Sequence, residues 1–221
     1  MSLIIPTILT SDSKELLHKL NLIKGKIGLV QIDIIDGIFA PKKTIGLKDL
    51  ANRPEGINIE LHLMVDRPED WVEEAAKIKS TGMVAQVEMM DDPEKYFTLA
   101  AEAGIQAGVG IDLPTDLNII TPEVFVWAEK ILLMGVKAGE GGQEFDESVL
   151  HKIEPARSHL AGTRTIVVDG GLNEETIALC AEAGAREFCV GTVFWESDDL
   201  LKRYKELEYI ARKGRWGNKY Q

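Results

Sequence analysis

Val30-Gln31-Ile32-Asp33-Ile34-Ile35-Asp36-Gly37 is an apolar run interrupted at alternate positions by an amide and a carboxylate, and it ends on a glycine. Side chains alternate between the two faces of a strand, so Gln31 and Asp33 share one face while Val30, Ile32 and Ile34 take the other. The run reads as a buried strand that delivers one polar side chain and one carboxylate to the same side. Thr165-Ile166-Val167-Val168-Asp169-Gly170-Gly171 repeats the pattern of an apolar run, a terminal aspartate and glycines.

Working outward, eight such runs occupy 3–9, 29–33, 57–64, 83–88, 106–112, 131–135, 165–169 and 187–191. Stretches of helical periodicity lie at 13–23, 68–80, 93–103, 147–160, 174–183 and 198–213. The helices expected second and fifth in the series are weakly marked. Asp66-Arg67-Pro68, Asp92-Pro93 and Asn173-Glu174-Glu175 supply start signals, and Ala103-Gly104 and Ala183-Gly184 supply stops. Eight strand–helix beats in 221 residues predict a single (β/α)8 TIM barrel over 1–221, with 214–221 as a flexible tail. An open doubly wound sheet would need fewer strands or a longer chain.

The net charge of −11 argues against nucleic acid and anionic membranes as partners, and it repels a phosphorylated ligand at long range. A phosphate site must then be local, built from backbone N–H groups. No apolar run approaches the roughly 20 residues that cross a bilayer. The first residues lack the basic region of a signal peptide. Cys180 and Cys189 have no metal-ligand spacing and read as buried thiols in a reducing cytoplasm. The basic segment with Arg212, Lys213, Arg215 and Lys219 reads as a solvated terminus.

In a TIM barrel the chemistry lies at the C-terminal ends of the strands. Alternation places Gln31 with Asp33, Glu60 with His62 and Met64, and Gln86 with Glu88, all pointing inward. Asp33 and Asp169, on strands two and seven, suit a base on one face of a carbon and an acid on the other. Each alone would equally fit a loop cap. His62, with Glu60 as a candidate supporting partner, reads either as a metal ligand or as a hydrogen-bonded core histidine. Gly139, Gly141 and Gly142 follow strand six, Gly170 and Gly171 follow strand seven, and Gly191 with Thr192 follows strand eight. Together they form a candidate phosphate cradle. Thr7 reads as a donor to a sugar hydroxyl or as a structural threonine. Met64 and Met134 read as an apolar wall at the mouth or as core. Trp71, Trp127, Trp195 and Trp216 read as packing.

In order along nearly the whole chain, these motifs resemble those of the ribulose-phosphate 3-epimerase family. Pro6-Thr7-Ile8-Leu9 is similar to its Pro-Ser-Ile-Leu. Gln31-Ile32-Asp33-Ile34-Ile35-Asp36-Gly37 is similar to its His-Val-Asp-Val-Met-Asp-Gly. His62-Leu63-Met64-Val65 matches His-Leu-Met-Val, and Val168-Asp169-Gly170-Gly171 matches Val-Asp-Gly-Gly. The segment from Met134 to Phe145 is similar to Met-Ser-Val-Asn-Pro-Gly-Phe-Gly-Gly-Gln-x-Phe, and Val190-Gly191-Thr192 to the Gly-Ser phosphate loop.

The resemblance implies a cytoplasmic isomerase of pentose phosphate metabolism acting on a small phosphorylated sugar, with the barrels often associating as homo-oligomers. It implies epimerisation of a ketose phosphate at C3 through an enediolate, with Asp33 and Asp169 as acid and base. It also implies a divalent metal (Zn, Fe or Mn) on Asp33, His62 and Asp169, with the family's second histidine falling on Gln31. Gln31 then serves as a fourth ligand, or its amide N–H2 donates to the enediolate oxygen. Gln86 stands where a histidine is common in the family. Lys137-Ala138-Gly139-Glu140 replaces Asn-Pro-Gly-Phe and puts a carboxylate near the expected substrate. Two other readings remain open. One is a lyase using Lys137 as a Schiff base, and the other is a phosphosugar-binding protein without turnover.

Overall fold

The computed structural model describes residues 3–161 and 164–214. Eight parallel strands close into a barrel in sequence order: β1 (Leu3–Ile8), β2 (Leu29–Ile35), β3 (Asn58–Met64), β4 (Gly82–Gln86), β5 (Gln106–Ile111), β6 (Lys130–Met134), β7 (Thr165–Asp169) and β8 (Glu187–Val190). The helices are α1 (Ser13–Ile23), α2 (Val72–Lys77), α3 (Pro93–Glu102), α4 (Pro122–Trp127), α5 (Leu150–Ser158), α6 (Glu174–Ala183), α7 (Thr192–Trp195) and α8 (Leu200–Gly214). This is the TIM barrel that the sequence predicts. Residues 1–2, 162–163 and 215–221 lie outside the described part, and with them the expectations for the tail, Arg215, Trp216 and Lys219.

The departures have local causes. The connection after β2 holds only a 3-10 turn, Leu47–Asn52, because a long loop beginning at Asp36 uses up the span available for a helix. The stretch from Pro68 divides into a 3-10 turn, Pro68–Trp71, and the short α2, since Arg67 enters it in a left-handed conformation with no side-chain cap. The other start signals do cap: Asp92 accepts from Lys95 N at 2.9 Å, and Asn173 accepts from the amides of Glu175 and Thr176. Gly184, at φ 124°, ends α6. β4 ends at Gln86, so Glu88 lies in a 3-10 turn after the strand and not on it.

Two apolar regions follow from strand alternation. Outward-facing residues such as Ile4, Ile32, Leu61, Val109 and Val168 pack against the helices in the larger core. Inward-facing Ile5, Val84, Leu132, Val167 and Cys189 fill the barrel with Met64 and Met134. Both cysteines are free and buried. Burial raises the Cys180 thiol to about 12 and places Cys189 well above the usual thiol range, which disfavours the thiolate at both.

Charged groups also lie inside the barrel. Lys130 Nζ sits 2.8 Å from Glu60 Oε2 and 2.7 Å from Glu187 Oε2. β5 makes room for this network with a glycine. A Cβ on Gly108 would lie 2.6 Å from Lys130 Cγ and 2.7 Å from its carbonyl oxygen. Burial works against the charge on Lys130, but the two glutamates outweigh it and hold the ammonium well above the ordinary lysine range.

Candidate active site

The register pairs Gln31 with Glu60 and Asp33 with His62 across β2 and β3. Asp33 and His62 therefore lie nearer the C-terminal mouth, with Gln31 and Glu60 a layer beneath. Three strand steps away around the closed barrel, β7 ends at Asp169. His62 is fully buried, and Asp33 and Asp169 are nearly so. His62 Nδ1 lies 3.1 Å from Asp33 Oδ1 and 3.5 Å from Asp169 Oδ2. One nitrogen thus faces both carboxylates.

The opposite ring nitrogen fixes the imidazole. Oriented to satisfy its own hydrogen bonds, the Gln86 amide accepts from His62 Nε2 at 2.9 Å through its oxygen and donates to Gly110 O and Glu88 Oε2. His62 therefore carries a proton on Nε2 and presents Nδ1 to the aspartates. Sequence reasoning offered Glu60 as the supporting partner of His62, and the structure corrects this. Glu60 is engaged by Lys130 and by Gln31, whose Nε2 donates to Glu60 Oε1 at 2.9 Å.

Burial pushes the Asp33 carboxyl up to about 6, opposed by the hydrogen bond from His62 and reinforced by the Asp169 charge. Burial alone would lower His62. Its hydrogen bonds to Asp169 and Asp33, and their charges, instead raise it to about 10. Without another cation, the site keeps a proton on Nδ1 between the two acids.

Nδ1 of His62 and one oxygen from each aspartate lie within 4.8 Å of one another. Three buried donors at that spacing, with the imidazole tautomer already set by Gln86, fit a divalent metal. The buried carbonyl oxygen Oε1 of Gln31 has no hydrogen-bond partner among the described residues. Such an orphan costs about 1–3 kcal/mol, a penalty that a cation would relieve.

Above the aspartates opens a cavity of about 960 Å³. Its lining brings together Thr7, Asp33, Met64, Gly139, Gly141, Gly142, Asp169, Gly170, Gly171, Gly191 and Thr192, all singled out in the sequence. Met134 joins the wall. Gln31 and His62 lie below its floor, without solvent exposure. Gly170 and Gly171 adopt φ of 99° and 66°, and a Cβ on Gly171 would lie 2.6 Å from Phe145 backbone atoms, so only glycine fits this turn. Gly191 approaches the Thr7 hydroxyl, where a Cβ would meet Oγ1 at 3.1 Å.

Several expectations change. Lys137 is exposed and does not line the cavity, which removes the structural basis for Schiff-base chemistry. The Gln31 amide N–H2 is committed to Glu60 and so is not offered to an enediolate. Trp195 is more than packing: it lines the cavity, and its Nε1 donates to Thr7 O at 2.6 Å. Lys19, Lys42 and Asn173 also reach the cavity lining, a placement that only the folded connections reveal. Glu140 does line the cavity, as its place in the loop after strand six suggests. Asp36 serves the loop, accepting from Ile38 N at 2.7 Å and from Asp66 N at 2.7 Å.

Paired buried acids and glycine-rich turns around one cavity at the C-terminal end of a closed eight-stranded parallel barrel define a TIM-barrel protein with its candidate site at that mouth. The model of the ribulose-phosphate 3 epimerase family matches residues 3–195, and the chain belongs to that family. The ribulose-phosphate 3-epimerase of Bacillus subtilis (strain 168) is 32% identical over 209 residues, covering 91% of this chain and 96% of that protein. The ribulose-phosphate 3-epimerase of Mycobacterium tuberculosis (strain ATCC 25618 / H37Rv) is 33% identical over 202 residues, covering 89% and 87%. Among solved structures, 3-keto-L-gulonate-6-phosphate decarboxylase from Vibrio cholerae has a TM-score of 0.74 at 10% identity, covering 96% of this chain and 99% of that one. Orotidine 5'-phosphate decarboxylase from Pyrococcus horikoshii gives 0.65 at 13%, covering 95% and 99%. At such identities these two matches speak for the fold alone. No described helix is long and apolar enough to cross a membrane.

Proposed function

We propose that the protein epimerises a ketose phosphate at C3, with Asp33 and Asp169 exchanging the roles of base and acid. The observation that carries this reading is the convergence of both buried carboxylates on His62 Nδ1 at the floor of one cavity. One aspartate takes the C3 proton, its electrons pass into the adjacent carbonyl as an enediolate, and the other aspartate returns a proton to the opposite face. A divalent ion on Asp33, His62 and Asp169 would supply positive charge to the developing enediolate oxygen.

The chain's own residues do the rest. His62, set by Gln86, orients both carboxylates. Met64 and Met134 present thioethers that leave the intermediate without a competing proton donor. Gly170, Gly171, Gly191 and Thr192 offer N–H groups, and Thr192 a hydroxyl, to the phosphate, which holds C3 between the acids. Self-association and a cytoplasmic location accompany this reading, and sedimentation of the purified protein reads the first.

The test is exchange of the C3 hydrogen with deuterated solvent, using ribulose 5-phosphate and related ketose phosphates. Exchange together with formation of the epimer supports the proposal. No exchange with any of them, with or without added Zn²⁺, Mn²⁺ or Fe²⁺, rejects it.

A further inference from the structure

We propose that Gln31 Oε1 is the fourth protein ligand of the ion held by Asp33, His62 and Asp169. That makes the centre three oxygens and one nitrogen and shifts its selectivity from zinc towards harder ions such as Mn²⁺. The inference rests on the reading of the triad as a metal site.

Gln31 shares a face of β2 with Asp33, about 6.6 Å lower along the strand, and has no solvent exposure. Its amide cannot choose its orientation freely. Nε2 donates to Glu60 Oε1 at 2.9 Å, and Glu60 Oε2 is held by Lys130 Nζ at 2.8 Å. Turning the amide over would set Oε1 against a carboxylate oxygen, so the ion pair fixes which amide atom is left over. That atom is Oε1, a carbonyl oxygen with two lone pairs, sealed from water and without a hydrogen-bond partner among the described residues. The Glu60 charge on the N–H2 side polarises the amide and makes Oε1 more electron-rich.

Ligand type decides the consequence. Imidazole favours zinc, copper and iron, whereas carbonyl and carboxylate oxygens favour magnesium, calcium and manganese. Most sites still bind zinc more tightly than manganese, so the claim concerns the ratio of the two affinities. Replacing Gln31 by histidine should widen that ratio.

The experiment strips the full-length protein of metal and measures Zn²⁺ and Mn²⁺ dissociation constants by competition with a chelator. It compares the wild type, Gln31→His, Gln31→Leu and His62→Ala, with circular dichroism to confirm folding. The zinc-to-manganese affinity ratio should rise at least about tenfold in Gln31→His, and Gln31→Leu should weaken Mn²⁺ binding by about tenfold or more. If Gln31→Leu fails to fold, the ratio in Gln31→His decides alone. An unchanged ratio, or undiminished Mn²⁺ binding in folded Gln31→Leu, overturns the proposal while His62→Ala still abolishes binding. Failure of the wild type to bind either ion overturns the metal reading and this inference with it. Epimerase activity enters neither readout.

Discussion

Asp33 Oδ1, at the cavity floor, stands 3.1 Å from Nδ1 of His62, which is buried beneath that floor. The contact brings a group that the fold prefers protonated beside one that the fold prefers charged. Burial raises Asp33 to about 6, and the two aspartates hold His62 at about 10 despite its burial.

A first prediction follows for stability in the presence of a chelator. The folded pKa of His62 lies above its unfolded value near 6.5. The folded state therefore binds the extra proton. Its contribution is complete below about 6.5 and is lost as pH rises through about 10. Asp33 is also raised, from 3.8 to about 6, so its contribution fades over that lower window. The thermal midpoint of the metal-stripped protein should fall between pH 6.5 and 10, and His62→Asn should flatten that slope. A midpoint rising with pH over this range would show that His62 is not charged in the fold.

The acid–base assignment predicts a separation of binding from turnover. Asp33→Asn and Asp169→Asn preserve shape but remove the proton-accepting group. Each should lower C3 exchange by about 10²-fold or more, while the glycine cradle still binds a sugar phosphate. Isotope exchange and calorimetric titration read the two quantities. Activity surviving in either variant would point to a different proton carrier.

Much of this was legible in the sequence because its signals are local. The apolar runs ending at Asp33 and Asp169 specify strands, and the period of two puts Gln31 and Asp33 on one face whatever the rest of the chain does. The glycines after β6 and β7 mark turns that demand their conformational freedom, with Gly139, Gly142, Gly170 and Gly171 all at positive φ. What stayed hidden depends on pairing across the barrel. Nothing in the sequence around Lys130 marks a buried ion pair, and only closure brings it to Glu60 and Glu187. The register of β2 against β3 sets Glu60 beside Gln31 instead of His62. Trp195 lies 188 residues from Thr7 in sequence, yet β8 and β1 are neighbours and the indole reaches its backbone. The weak marking of the second helix in the sequence has its counterpart in the connection after β2, which carries the 3-10 turn Leu47–Asn52 in place of a helix.

The buried ion network predicts an asymmetric response to mutation. Lys130→Met removes the ammonium that pairs with both Glu60 and Glu187, whose side chains are only 4% and 18% exposed. Leaving them unpaired should destabilise the fold by about 3–5 kcal/mol in urea denaturation. Replacing Glu60 and Glu187 with apolar residues of similar size in the same variant should restore much of that loss, because no buried charge is then left without a counterion. A Lys130→Met loss under about 1 kcal/mol would mean that water reaches the network.

Gly171 tests the phosphate cradle. Its φ of 66° is left-handed, and an added Cβ would stand 2.6 Å from Phe145 N and Cα. The conformation alone costs about 1–2 kcal/mol for a residue with a side chain. The Phe145 backbone cannot yield as a flexible side chain would, so the loop after β7 must shift to admit a methyl group. Gly171→Ala should therefore lower stability by more than about 1 kcal/mol and weaken binding of a sugar phosphate. Asp169, on the rigid strand before it, keeps its place, so KM should rise more than kcat falls. A matching loss of kcat with KM unchanged would show that the turn positions Asp169 instead of the phosphate. In that case the cradle would have to be sought at Gly191 and Thr192.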